Sequence, residues 1–161
     1  MTYLLIIISL ILDGILSIYI PETTYFLPLL TVITISNIYP LYKKKPKLYY
    51  TIIIMTGIIY DLIYTNLLIY HGITFMLIGY ITTKLNKNII ENSINSIIST
   101  IITIVLYETI TYVFVNIFKI NHTSVTYLLN KISKTLILNI IYSQMIFRII
   151  KLKAHKINKF T

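Results

Sequence analysis

The chain has 161 residues, of which 57% are hydrophobic and 12% charged, and it carries a formal net charge of +9. A mean hydropathy of +0.81 excludes an ordinary water-soluble domain, and the absence of cysteine excludes disulfides, thiolate metal sites and cysteine nucleophiles. The basic residues flank apolar runs, so they read as cytosolic loops of an integral membrane protein held by anionic lipid, not as a nucleic-acid surface.

The first apolar run, Tyr3 to Ile20, has no basic segment before it and no small-residue cleavage site, so it predicts a retained span and not a signal peptide. It holds Asp13 at mid-depth, and Ser9 and Ser17 stand four residues to either side on the same helix face. Residues 21–24, Pro-Glu-Thr-Thr, predict a tight outer turn. The second span runs from Tyr25 to Tyr42, with Pro28 early, where proline is tolerated, and Lys43 to Lys47 after it.

Residues 49–85 follow with no charge before Lys84 except Asp61. That run is too long for one crossing, because about 20 residues fill the hydrocarbon core. It predicts a helical hairpin, in along Leu48 to Thr65 and back along Gly72 to Leu85, the two meeting near Asn66 to Gly72. Gly57 and Asp61 share one face of the first arm; Gly72, Phe75 and Gly79 share one face of the second. Small residues on such faces allow close helix packing.

A polar loop covers residues 84–95. Ser96 to Phe118 is the fifth span, interrupted by Glu108, and Lys134 to Ile150 is the sixth, followed by a basic tail over 151–161. Between these two, Val125, Leu128, Leu129 and Ile132 recur at helical spacing, with Thr123 or Ser124 as N-cap. That stretch reads either as the start of the sixth span or as a separate helix on the membrane surface.

Eleven of the fourteen Lys and Arg fall after the second, fourth and sixth spans; Lys119, Lys131 and Lys134 fall on the other side. One integral membrane domain, a bundle of about six transmembrane helices with both termini cytoplasmic, satisfies the positive-inside bias at every loop.

Three intramembrane polar residues stand out: Asp13, Asp61 and Glu108. Counting at 1.5 Å per residue puts Asp61 about 21 Å from Lys47, and Glu108 about 20 Å from Asn95, so the two share a depth. The sequence places no Lys or Arg at that depth to pair with them. They read as carboxyls hydrogen-bonded to polar neighbours, or as parts of a proton path or a cavity for a polar ligand. His71, His122 and His155 are scattered and make no metal-ligand spacing. No catalytic, cofactor-binding or metal-binding residues are assigned, and the chain reads as no enzyme.

The segment Gly57-Ile58-Ile59-Tyr60-Asp61, followed by Phe75, Gly79 and Tyr80, resembles the central hairpin of the bacterial rod-shape-determining MreD family. The positions that match the motif are Gly57, Tyr60, Asp61 and Gly79, with Tyr80 after them. The resemblance implies a non-enzymatic scaffold of the cell-elongation complex in the bacterial plasma (inner) membrane, supporting cell shape and lateral peptidoglycan synthesis. It implies as partners a bitopic MreC-like protein, the actin-like MreB, and a peptidoglycan polymerase and transpeptidase. The helix-packing or partner candidates are Gly57, Tyr60, Asp61, Gly72, Gly79 and Tyr80. The bundle is also similar to the substrate-binding S-component subunits of energy-coupling-factor vitamin transporters. Those dock through alanines spaced four apart on the first helix, where this chain has Ser9, Asp13 and Ser17.

Overall fold

A computed structural model describes residues 2–20, 27–65, 67, 69–85, 92–118 and 124–159, without the side chains of 85 and 153–159. The turn expected over 21–24, most of the polar loop before Ser93, and Lys119 and His122 lie outside the described residues. Every regular element among those described is helical. The elements are α1 (Thr2–Tyr19), α2 (Leu30–Ile38), α3 (Pro46–Tyr60), α4 (Tyr70–Leu85), α5 (Ser93–Ile117) and α6 (Val125–Lys159). A 3₁₀ turn, Tyr39–Tyr42, extends α2, and a π-helical turn, Asp61–Thr65, extends α3.

Local chemistry accounts for several of the helix starts. Pro46 opens α3 at a position where the missing N–H costs nothing. Asn92 caps α5 by accepting the Ile94 N–H at 3.2 Å. Ser124 caps α6 by accepting the Tyr127 N–H at 3.2 Å. From that cap α6 runs without interruption for 35 residues, about 52 Å. The amphipathic stretch over 125–132 is therefore the first two turns of the sixth helix, and the basic residues after Arg148 prolong its other end.

Among the described residues, four segments are long and apolar enough to cross a membrane: Thr2–Tyr19, Pro46–Thr65, Ser93–Ile117 and Val125–Leu152. The composition and these four segments make the chain an all-α membrane bundle. The two remaining helices are shorter than a full crossing. α4 has 16 residues, and α2 has nine and begins five residues inside the 25–42 span expected from sequence.

The short helix α2 is the centre of the molecule. All nine of its residues are buried, and it packs against α1, α4, α5 and α6. Its apolar side chains Val32, Ile33, Ile35 and Ile38 belong to the hydrophobic core with Ile53, Phe75, Ile78 and Ile104. Its polar side chains bind across the helix boundaries. Asn37 Oδ1 accepts from Ser96 at 3.1 Å, Ser96 meets Ser143 at 3.0 Å, and Thr100 donates to Ser143 at 2.6 Å. Thr103 donates to Ser36 at 3.0 Å, and Thr34 pairs with Tyr142 at 2.9 Å. In lipid, where apolar attraction between helices is weak, such hydroxyl contacts and close packing hold a bundle together.

Around this centre lie two antiparallel hairpins, α3–α4 and α5–α6. Tyr50 reaches Thr83 at 3.2 Å, and Ser93 bonds Gln144. The lysines at 43–47, Lys84 and the later part of α6 therefore gather at one end of the bundle. The outer face is apolar, as at Leu4, Ile7, Ile11, Ile15 and Ile18 of α1, all exposed, which is what lipid requires.

Candidate functional site

A helix whose first turn is buried in the bundle has backbone N–H groups with no water to satisfy them. Two helices here start that way, and each is met by an aspartate from a neighbour. Asp13 of α1 accepts the Leu30 N–H at 2.7 Å on one oxygen and the Thr31 N–H at 2.8 Å on the other. Asn139 of α6 completes this cap. Its Oδ1 accepts the Leu29 N–H at 2.9 Å, and its Nδ2 donates to the Leu27 carbonyl at 2.8 Å. Asp13 is 4% exposed and Asn139 fully buried. A carboxylate at a helix N-terminus also meets the positive end of the helix dipole.

Asp61 does the same for α4. Its Oδ2 accepts the His71 N–H at 2.7 Å, and its Oδ1 accepts the Thr65 hydroxyl at 2.8 Å. The His71 ring stands against the same carboxylate, with Nδ1 2.6 Å from Oδ1. Both carboxylate oxygens are acceptors, so Nδ1 carries the proton and donates. Nε2 is then left to accept the Tyr107 hydroxyl, 3.0 Å away. The chain Asp61–His71–Tyr107 thus joins α3, α4 and α5. Rings enclose it: Tyr60 lies 4.6 Å from the His71 ring, Tyr70 4.7 Å and Phe75 5.5 Å, centroid to centroid.

The π turn is what delivers Asp61. Widening the last turn of α3 swings the carboxylate toward the start of α4, and such insertions are frequent at functional positions. Gly57, one turn earlier, lets the two helices touch. A Cβ at Gly57 would lie 2.5 Å from the backbone of His71 and Gly72, so only glycine fits. Gly72 is less constrained, because a Cβ there would press on the Ile58 side chain at 3.3 Å and reach the backbone of Ile54 only at ordinary contact distance, 3.6 Å. Gly79 faces Tyr49 and Ile53 of α3. The glycine faces are therefore used within the hairpin. Of the other candidates from sequence, Tyr60 is part-buried against His71, whereas Tyr80 is exposed with Lys84 over its ring.

Glu108 corrects the expectation that no cation reaches the carboxylates. Lys131 Nζ lies 3.2 Å from Glu108 Oε2, with the lysine side chain 30% exposed and the glutamate 2%. The sequence reading put Lys131 outside the spans; because α6 begins at Val125, its second turn runs beside α5 and brings the ammonium inward. Asp61 likewise has a partner, in a histidine that the sequence placed at the turn. The sequence reading, with the turn spread over Asn66 to Gly72, did not bring the two together. Tyr107, Asn139 and Lys131 left no signal either, because their roles depend on how separate helices pack.

Between these groups, at the end of the bundle away from the lysine clusters, is a cavity of about 410 Å³. Asp13 and Ser17 line it from α1, Tyr60 and Tyr64 from α3 and its π turn, and Tyr70 and Tyr107 from α4 and α5. Among the described residues no group of three or more His, Asp or Glu is placed to hold a metal ion.

Comparison with known proteins gives one family. The family model described as MreD, rod shape-determining protein MreD, matches residues 1–156. No curated protein and no solved structure matches the chain, so the likeness to vitamin-transporter subunits has no support from that side.

Proposed function

Because this chain belongs to the MreD family of rod shape-determining proteins, we propose that it is the non-catalytic membrane scaffold of the complex that elongates rod-shaped bacterial cells. The observation that carries this is the extent of the family match, 156 of 161 residues. The interior chemistry supports it. Asp13, Asp61 and Glu108 are each engaged by backbone N–H groups, a histidine or a lysine that hold the bundle together. The protein resides in the bacterial inner membrane as a multi-pass bundle, with the lysine-rich end and both termini in the cytoplasm.

In this reading the scaffold docks a bitopic MreC-like protein and, through it, aligns MreB with the peptidoglycan polymerase and transpeptidase. The docking face is the outward end of α5 and α6. There Ile117, Phe118, Val125, Tyr127 and Leu129 are exposed beyond the glycine contacts that the α3–α4 hairpin already uses. Co-purification tests the docking. Tyr127→Glu with Leu129→Glu, on an exposed face, leaves the protein in the membrane at normal level but removes the MreC-like partner and rounds the cells. Normal cell shape in a deletion strain, with a tightly held small molecule in the purified protein, contradicts the scaffold role.

A further inference from the structure

The cavity at the end away from the lysine clusters has a wall with an uneven hydrogen-bonding character. Ser17 donates its proton to the Gly14 carbonyl at 2.9 Å, and Tyr64 donates to the Leu10 carbonyl at 2.6 Å. Tyr70 donates to Thr111, which in turn donates to the Tyr107 carbonyl. Thr65 donates to Asp61, and Tyr107 donates to His71. With their protons directed into the protein, these hydroxyls present lone pairs to the cavity. Among the described residues no lysine or arginine lines it, and Asp13 does. Tyr60, Tyr64, Tyr70 and Tyr107 are all among the residues that line it.

A wall of acceptors, aromatic side chains and one carboxylate, with no cation among the described lining residues, selects a ligand that brings N–H donors and positive charge. It disfavours anions, which would find no counter-charge among the described residues that line it. At about 410 Å³ the space is in the range of small-ligand sites. We propose that this cavity binds a primary ammonium group, carried by a small free amine or by the headgroup of an aminophospholipid. This goes beyond the scaffold role and stands without it.

The test uses the full-length protein, with ethanolamine as the probe and choline, ethylene glycol and glycolate as controls. In detergent, ethanolamine at tenfold its dissociation constant raises Tm by about 3–6 °C, while ethylene glycol and glycolate do not. Ser17→Lys, at an exposed position on the rim, tethers an ammonium there and abolishes the response without lowering the ligand-free Tm. Tyr64→Phe keeps the ring, removes one of these acceptors and weakens binding roughly three- to tenfold, the loss of one ordinary hydrogen bond. Nanodiscs with and without phosphatidylethanolamine separate the sources. A shift seen only with that lipid, and lost in Ser17→Lys, assigns the site to a headgroup. No shift in either format, an equal shift with glycolate or choline, or an undiminished response in Ser17→Lys overturns the proposal.

Discussion

An aspartate buried in a membrane protein is tolerated when its lone pairs are filled, and Asp13 fills them with two backbone N–H groups of α2. Asparagine keeps one acceptor there but turns an NH₂ toward the second N–H. Asp13→Asn is therefore expected to cost about 1–3 kcal/mol, and Asp13→Ala more, because it orphans both donors. Reversible unfolding in detergent measures both; an asparagine variant as stable as the wild type contradicts the double cap. Ile69 is a second residue-level case. It takes φ 75° just before α4, a left-handed conformation that costs a β-branched residue about 1–2 kcal/mol. Ile69→Asn relieves most of that, and its unfolding midpoint rises above the wild type; an unchanged or lower midpoint contradicts the strain.

At the scale of elements, the α3–α4 hairpin is the best test of how glycine places a site. Gly57→Ala pushes a methyl into the backbone of His71 and Gly72, separating Asp61 from the helix it caps. Gly72→Ala crowds only the Ile58 side chain and meets backbone at ordinary contact distance. Large loss of stability in the first, with less than about 1 kcal/mol in the second, is the expected pattern. Equal effects argue against the close crossing. The hairpin itself was legible in sequence, since residues 49–85 form an apolar run too long for one crossing. The central position of α2 was not. Its start at Leu30 depends on Pro28 and on caps from α1 and α6 that no local pattern announces. The start of α6 was legible only as an alternative. The spacing of Val125, Leu128, Leu129 and Ile132 fits both a surface helix and the first turns of a long one.

For the molecule as a whole, the sequence conveyed the class, the membrane setting and the family, because composition, basic clusters and the Gly57–Asp61 segment are local properties. It did not convey the pairing of Glu108 with Lys131, which depends on the register of two helices. The proposed orientation has its own check, and the absence of native cysteine makes it simple. Single cysteines at Lys45 and Lys151 are expected to be protected from an impermeant maleimide in intact cells, and those at Leu67 and Ser124 to react. The reverse pattern inverts the topology.

The central claim is that this bundle shapes cells as a scaffold, with its buried charges serving packing and not chemistry. Replacing a buried ion pair by neutral groups of similar volume is often neutral or stabilising, whereas removing one partner is not. The most direct measurement is therefore cell width in a rod-shaped deletion strain complemented with Glu108→Gln/Lys131→Met. The account predicts rods of wild-type width from the double variant, and wider cells from Lys131→Met alone. Round cells from a double variant that is folded and present at normal level in the membrane would contradict it.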